Sequence, residues 1–195
     1  MEADKPPSLA DQYPGGCYLG FNAAIDRPAA QQLLSVCQSM RNSGFKEINI
    51  LMNSIGGLID QALYLYNALT ALPVKLITHN TGSVQSCGNL PFLAGAERYG
   101  ADGCTFFFHQ SAFDNPPGQR LTERILEERL KSLRLEDERT ANIYASRTGR
   151  AIDVVRKWMT DELVMSAATA IENGLIGSTR SAEVPPDAIF HQVIV

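Results

Sequence analysis

No apolar run in the 195-residue chain approaches the ~18 residues that a membrane-crossing helix needs. The N-terminal stretch Met1-Glu2-Ala3-Asp4-Lys5-Pro6-Pro7 is polar and acidic where an export signal would be basic and then apolar. Cysteine is scarce: Cys17, Cys37, Cys87 and Cys104 have neither the density nor the paired short spacing of a disulfide framework or a zinc site. A membrane location is therefore not expected, and a reducing, cytoplasmic setting is. Seventeen Lys and Arg against twenty-one Asp and Glu leave a net charge of -4, with no basic stripe to grip a phosphate backbone, so nucleic acid is not an expected partner. The three histidines, His79, His109 and His191, are too dispersed to suggest a metal site. No Gly-x-x-x-x-Gly-Lys-Ser/Thr loop occurs and the Gly56-Gly57 pair lacks dinucleotide spacing, so neither ATP hydrolysis nor a cofactor is expected.

With 45% hydrophobic and 19% charged residues, the composition is that of one ordinary globular domain. Residues 1–16 mix Pro6, Pro7, Pro14, Gly15 and Gly16 with polar residues and read as an N-terminal arm; 17–195 read as one domain. Apolar spacing predicts helices over 31–40, 59–72 and 121–146, then over 152–159 and 167–173, with Ser166 as N-cap and Gly149 and Gly174 as stops. Strands are predicted at 47–52, 74–78 and 105–108, with a loop opening at Gly82 and a short helix across 86–96. This alternation predicts an α/β fold of βαβ units with a largely parallel sheet, and functional groups on loops at strand ends.

Ser86 lies in Gly82-Ser83-Val84-Gln85-Ser86-Cys87-Gly88, after a strand and before a helix, where a helix N-terminus favours negative charge. A serine flanked by glycines is most often a turn or cap residue. Val84 stands where an α/β-hydrolase elbow has glycine, which argues against that family. His109 ends the aromatic strand, a position more often structural than catalytic. For Ser86 to act as a nucleophile it needs a neighbouring base, and the base needs a group that fixes its tautomer. Asp161 and Glu162, after the 152–159 helix, are the candidate carboxylates; otherwise they are a solvated acidic pair. Cys87 is a second candidate nucleophile.

Four blocks taken together, Asn53-Ser54-Ile55-Gly56-Gly57, Gly82 to Gly88, Phe108-His109-Gln110, and Met165-Ser166-Ala167 through Glu172-Asn173-Gly174-Leu175-Ile176, closely resemble the Clp protease proteolytic subunit, ClpP, in order and interval. The resemblance implies a ClpP/crotonase fold and a serine endopeptidase acting on peptides or unfolded proteins. Ser86 would be its nucleophile, His109 its base, and the amides of Gly57 and Cys87 its oxyanion hole. The family's acid falls on Glu162, slightly preferred over Asp161. The 121–146 helix would be the handle through which heptameric rings of identical subunits stack. An AAA+ unfoldase is the family's partner, although Met1 to Cys17 is unlike the family's axial loop. Ser111 to Gly118 replaces its Pro and glycine-rich strand, so cleavage preference and ring stacking do not carry over. Two alternatives stay open: a structural or regulatory subunit whose acid is misplaced, and a crotonase-type acyl-CoA enzyme.

Overall fold

The structure is a computed structural model and describes residues 7–114, 117–118 and 120–194. The first six residues of the expected arm lie outside the described residues. The rest of it contains a helical turn, α1 (Leu9–Gln12), closed by a reciprocal capping box between Ser8 and Asp11. Leu9, Ala10 and Tyr13 pack on the core, and Gly15 N–H bonds to Asp187 O at 3.3 Å. The segment was read as an arm because its prolines and glycines hide three apolar anchors.

The central sheet has eight strands: β1 (Cys17–Asn22), β2 (Glu47–Ser54), β3 (Lys75–Gln85), β4 (Glu97–Gly100), β5 (Thr105–Phe107), β6 (Val164–Ser166), β7 (Ser178–Thr179) and β8 (Ile189–Val193). Their order is β6-β5-β3-β2-β1-β8, with β4 on β3 and β7 on β4, and every pairing is parallel except β5 with β6. Cys17, Leu19 and Phe21 of β1 and Ile48, Ile50 and Met52 of β2 are buried on one face, the alternation a half-covered strand requires. The helices of the parallel connections are α2 (Arg27–Asn42), α3 (Ile59–Ala71) and α4 (Asn89–Leu93). The helix α2 begins earlier than its apolar spacing predicts, because Asp26 accepts a bond from Ala29 N–H and Pro28 fits the first turn.

Two predicted boundaries change for a common reason. Gly82 lies inside β3, which runs to Gln85. Its first half pairs with β4 and its last three residues with β5. Side-chain amides bridge the irregularity. Asn53 Oδ1 accepts from Ser83 N–H at 2.9 Å; Asn80 donates to Thr105 O at 2.8 Å and accepts from Gly82 N–H at 3.1 Å. The predicted 86–96 helix accordingly shrinks to a 3-10 turn at Ser86–Gly88 and α4.

Three further helices, α5 (Glu123–Thr148), α6 (Ile152–Thr160) and α7 (Ala167–Glu172), follow the predicted pattern. Ser166 caps α7 through Thr169 N–H, and Gly149 and Gly174 take left-handed φ of 73°. Two arginines tie the helix ends together. Arg98 donates to the carbonyls of Leu175, Gly95, Arg147 and Gly174, and Arg147 to those of Leu93 and Gly95, at 2.7–3.1 Å. Cations at the carbonyl ends of α4, α5 and α7 satisfy both the unpaired acceptors and the helix dipoles. Among the described residues no helix is long and apolar enough to cross a membrane.

On the sheet's other face His79, 3% exposed, meets Asn49 Oδ1 through Nε2 at 3.1 Å. Asn49 Nδ2 donates to Cys17 O, so Oδ1 faces the ring and Nε2 carries the proton. Burial, with the charge of Arg180 second, pushes the His79 pKa down to about 4 from 6.5. The unfolded chain thus binds a proton that the native one refuses between these values. Stability is expected to decline by up to roughly 3 kcal/mol as pH falls from 6.5 to 4. Urea melts across that range should show a shallower decline for His79→Gln; parallel slopes would refute the assignment.

Candidate active site

Ser86 is the hinge between the end of β3 and the helical turn before α4, and its φ is +55°. A non-glycine residue there carries about 1–3 kcal/mol of strain, sustained only when its surroundings over-determine it. Here they do. The Ser86 carbonyl accepts from Asn89 Nδ2 at 3.0 Å and from Tyr144 Oη at 3.1 Å, and Asn89 also donates to Phe107 O at 2.9 Å. Gly56 (φ +84°) passes so close that an added Cβ would lie 2.7 Å from Ser86 Cβ. The strand–turn–helix setting exposes a nucleophile by the same logic as a hydrolase elbow, without its sequence pattern.

His109 follows β5 and stacks on Phe107 with ring centroids 5.3 Å apart. Its Nδ1 is 2.6 Å from Gln110 O. A carbonyl only accepts, so Nδ1 carries the proton and Nε2 the lone pair, the tautomer a general base needs. Ser86, His109, Gly57 and Cys87 all line one cavity of about 210 Å³, whose wall mixes the apolar Leu58, Ile59 and Met159 with the polar Gln110, Ser111 and Thr140.

The two carboxylates are placed differently. Asp161 ends α6 and is held by Lys157 Nζ at 2.6 Å. Glu162 takes φ +50° as the chain turns into β6. The β5–β6 ladder pairs Phe107 with Val164, and Phe108 N–H continues it to Leu163 O at 3.0 Å, one residue short of both His109 and Glu162. Among the described residues no carboxylate is hydrogen-bonded to the His109 ring, and neither acid lines the cavity.

Residues 20–181 match the family model described as Clp protease. The chain belongs to the Clp protease family. A solved structure of a ClpP1 point mutant from Listeria monocytogenes resembles it with a TM-score of 0.77, covering 89% of this chain and 94% of that one, at 18% identity. That likeness is one of fold.

Within this Clp protease fold, several residues near the site escaped the motif reading. Asp137 of α5 accepts from Ser111 N–H at 2.6 Å and from Gln110 Nε2 at 3.4 Å, pinning the segment after His109. Tyr144 is buried and anchors Ser86; the buried stripe Thr140, Ala141, Tyr144 on an otherwise charged helix was the available signal. The side chain of Cys87 is also involved, besides the amide to which the family resemblance gives a role. Its Sγ accepts from Gly57 N–H at 3.1 Å, occupying one candidate oxyanion donor. Burial pushes the Cys87 pKa up to about 11, so the sulfur is a neutral thiol and a weak acceptor. Among the described residues no group of three or more His, Cys, Asp or Glu could hold a metal.

Releasing Gly57 N–H should help any reaction that places negative oxygen there. A neutral hydrogen bond is worth about 0.5–1.5 kcal/mol, so Cys87→Ala is expected to speed phosphonylation of Ser86 by a fluorophosphonate roughly two- to tenfold. Stopped-time labelling at equal folded fraction checks this; a rate at or below that of the parent protein counts against the blocking contact.

Proposed function

We propose that this Clp protease family member is a serine endopeptidase that cleaves peptides and unfolded proteins through an acyl-enzyme. One observation carries the reading: a strained, half-buried serine and a histidine whose Nδ1 donates to a carbonyl line the same small cavity as two backbone donors. Ser86 Oγ attacks the scissile carbonyl and passes its proton to His109 Nε2. The carbonyl oxygen becomes anionic and is received by the N–H groups of Gly57, once it displaces the Cys87 sulfur, and of Cys87. The protonated imidazole then gives its proton to the departing amine. A water attacks the ester by the reverse route and restores the serine.

The third role falls to Glu162. In the resting arrangement the Gln110 carbonyl holds Nδ1–H, which fixes the tautomer but supplies no full negative charge. Glu162, one residue beyond the Phe108–Leu163 bond that extends the β5–β6 ladder, would take that bond as the imidazolium forms. Asp161, committed to Lys157, is the weaker candidate. The family also supports a ring of identical subunits. The exposed leucines of α5, Leu126, Leu130 and Leu135, suit its use as a contact between two heptamers. Two such rings would form a 14-subunit particle in the cytoplasm.

A scaffold subunit is the second reading, favoured by the absence of a carboxylate bond to His109 among the described residues. The acyl-CoA alternative has lost its support to the Clp protease match.

A fluorophosphonate is expected to label the parent protein at Ser86 alone, and Ser86→Ala to abolish labelling. Glu162→Gln should lower peptide turnover by up to ~10⁴-fold, the scale seen when a triad base loses its acid. An unlabelled, assembled particle would establish the scaffold reading instead; unchanged turnover in Glu162→Gln would remove Glu162 from the triad.

A further inference from the structure

Among the described residues no carboxylate is bonded to the His109 ring, yet one lies a single peptide group away. His109 Nδ1 donates to the Gln110 carbonyl at 2.6 Å, and the N–H of that same amide, which belongs to Ser111, donates to Asp137 Oδ1 at 2.6 Å. In a trans amide the two groups point in opposite directions, so the unit bridges the imidazole and α5. The Gln110 side chain closes the arrangement, donating through Nε2 to Asp137 Oδ2 at 3.4 Å. Both oxygens of Asp137 are thus spent on residues 110 and 111, and among the described residues no Lys or Arg is ion-paired with it. Arg156, which lines the same cavity of about 270 Å³ as Asp137, is committed to Glu138 and Asp153. A carboxylate accepting at one end of an amide makes a charge-assisted bond and polarises the group, which strengthens the carbonyl at the other end as an acceptor. Stacking on Phe107 fixes the plane of the His109 ring but not which edge meets that carbonyl.

We infer that Asp137 is a positioning residue for the reaction: through the 110–111 amide it holds His109 in the Nδ1–H tautomer, which leaves Nε2 to take the Ser86 proton. The inference rests on the serine-peptidase reading and deepens it by dividing the acid's task between two carboxylates. Asp137 presets the resting tautomer from α5 without touching the ring, and Glu162 answers the charge that appears during the reaction. The arrangement suits a segment that has little else to hold it, since His109 and Gln110 lie beyond the end of β5. Without the carboxylate, the 110–111 amide loses the partner of its N–H, and nothing then keeps its carbonyl turned to the ring. A neutral imidazole released from that carbonyl samples both tautomers, and the Nε2–H form cannot accept a proton from Ser86 at that nitrogen.

Nitrogen NMR of the histidine-labelled, full-length assembled protein at about pH 8.5, where a free imidazole is neutral, reads the tautomer of each ring. His79, held in the opposite Nε2–H form by Asn49, is an internal reference, and the His109 signals are those lost in His109→Gln. The parent should show a protonated Nδ1 at His109. Asp137→Ala should move the His109 signals toward a mixture of tautomers. It should also slow phosphonylation of Ser86 by a fluorophosphonate about ten- to a hundredfold, the range met when an outer partner that orients a metal-bound histidine is removed. Asp137→Asn, whose side-chain carbonyl can still accept from Ser111 N–H, should keep the tautomer and recover most of the rate. Glu162→Gln should leave the resting tautomer as it is in the parent. A parent ring in the Nε2–H form would overturn the assignment before any variant is made. A folded Asp137→Ala protein that keeps the Nδ1–H signature, whatever its rate, would reduce Asp137 to a structural role, and a tautomer change in Glu162→Gln would transfer the role to Glu162. A parent protein unlabelled at Ser86, with the tautomer still answering to Asp137→Ala, would sink the peptidase reading and leave the bridge standing.

Discussion

The site depends on holding Ser86 at a backbone angle that its own side chain disfavours. A strand that ended without constraint would relax that residue and swing the hydroxyl into the sheet. Instead its carbonyl is gripped by an amide from the following helix and a phenol from α5, while Gly56 leaves room that any side chain would fill. The nucleophile, the loop of Gly56 and Gly57, and the buried end of α5 are thereby one mechanical unit. The same grip sets the cavity's depth: Tyr144 cannot reach the Ser86 carbonyl without bringing Thr140, one turn away on the same helix, to its wall.

The neighbouring ladder is less constrained. β5 and β6 pair over three residues, the only antiparallel pairing among the described strands. His109 stands two residues after β5 and Glu162 two residues before β6. A ladder so short has little stability of its own. Asp137, which bonds the backbone of Ser111 and the side chain of Gln110, supplies from α5 some of the fixation the ladder lacks.

What was legible in the sequence follows from where the physical signal is local. Long amphipathic helices such as α5, caps such as Ser166 and stops such as Gly149 announce themselves through spacing and residue type. The family blocks likewise bring Ser86, His109, Gly57 and Cys87 together, and the cavity contains all four. The run of β3 through Gly82 was hidden, because the bonds that carry it come from Asn53 and Asn80, side chains whose local meaning is usually a turn. The capture of Gly57 N–H by Cys87 sulfur was equally hidden, since the two residues are thirty apart in the chain. The acid was a choice between adjacent residues, because both fall in the turn that ends α6, where no periodicity fixes the direction of a side chain.

The paired guanidiniums of Arg98 and Arg147 have a consequence for how this protein answers its surroundings. They bind only main-chain oxygens, drawn from the ends of three helices and the turns beside them. Neither an arginine nor an amide oxygen changes protonation in any biological compartment. The junction that ties α4, α5 and α7 together is consequently deaf to acidification. Acid acts instead on the imidazole of His79, sealed on the far side of the sheet.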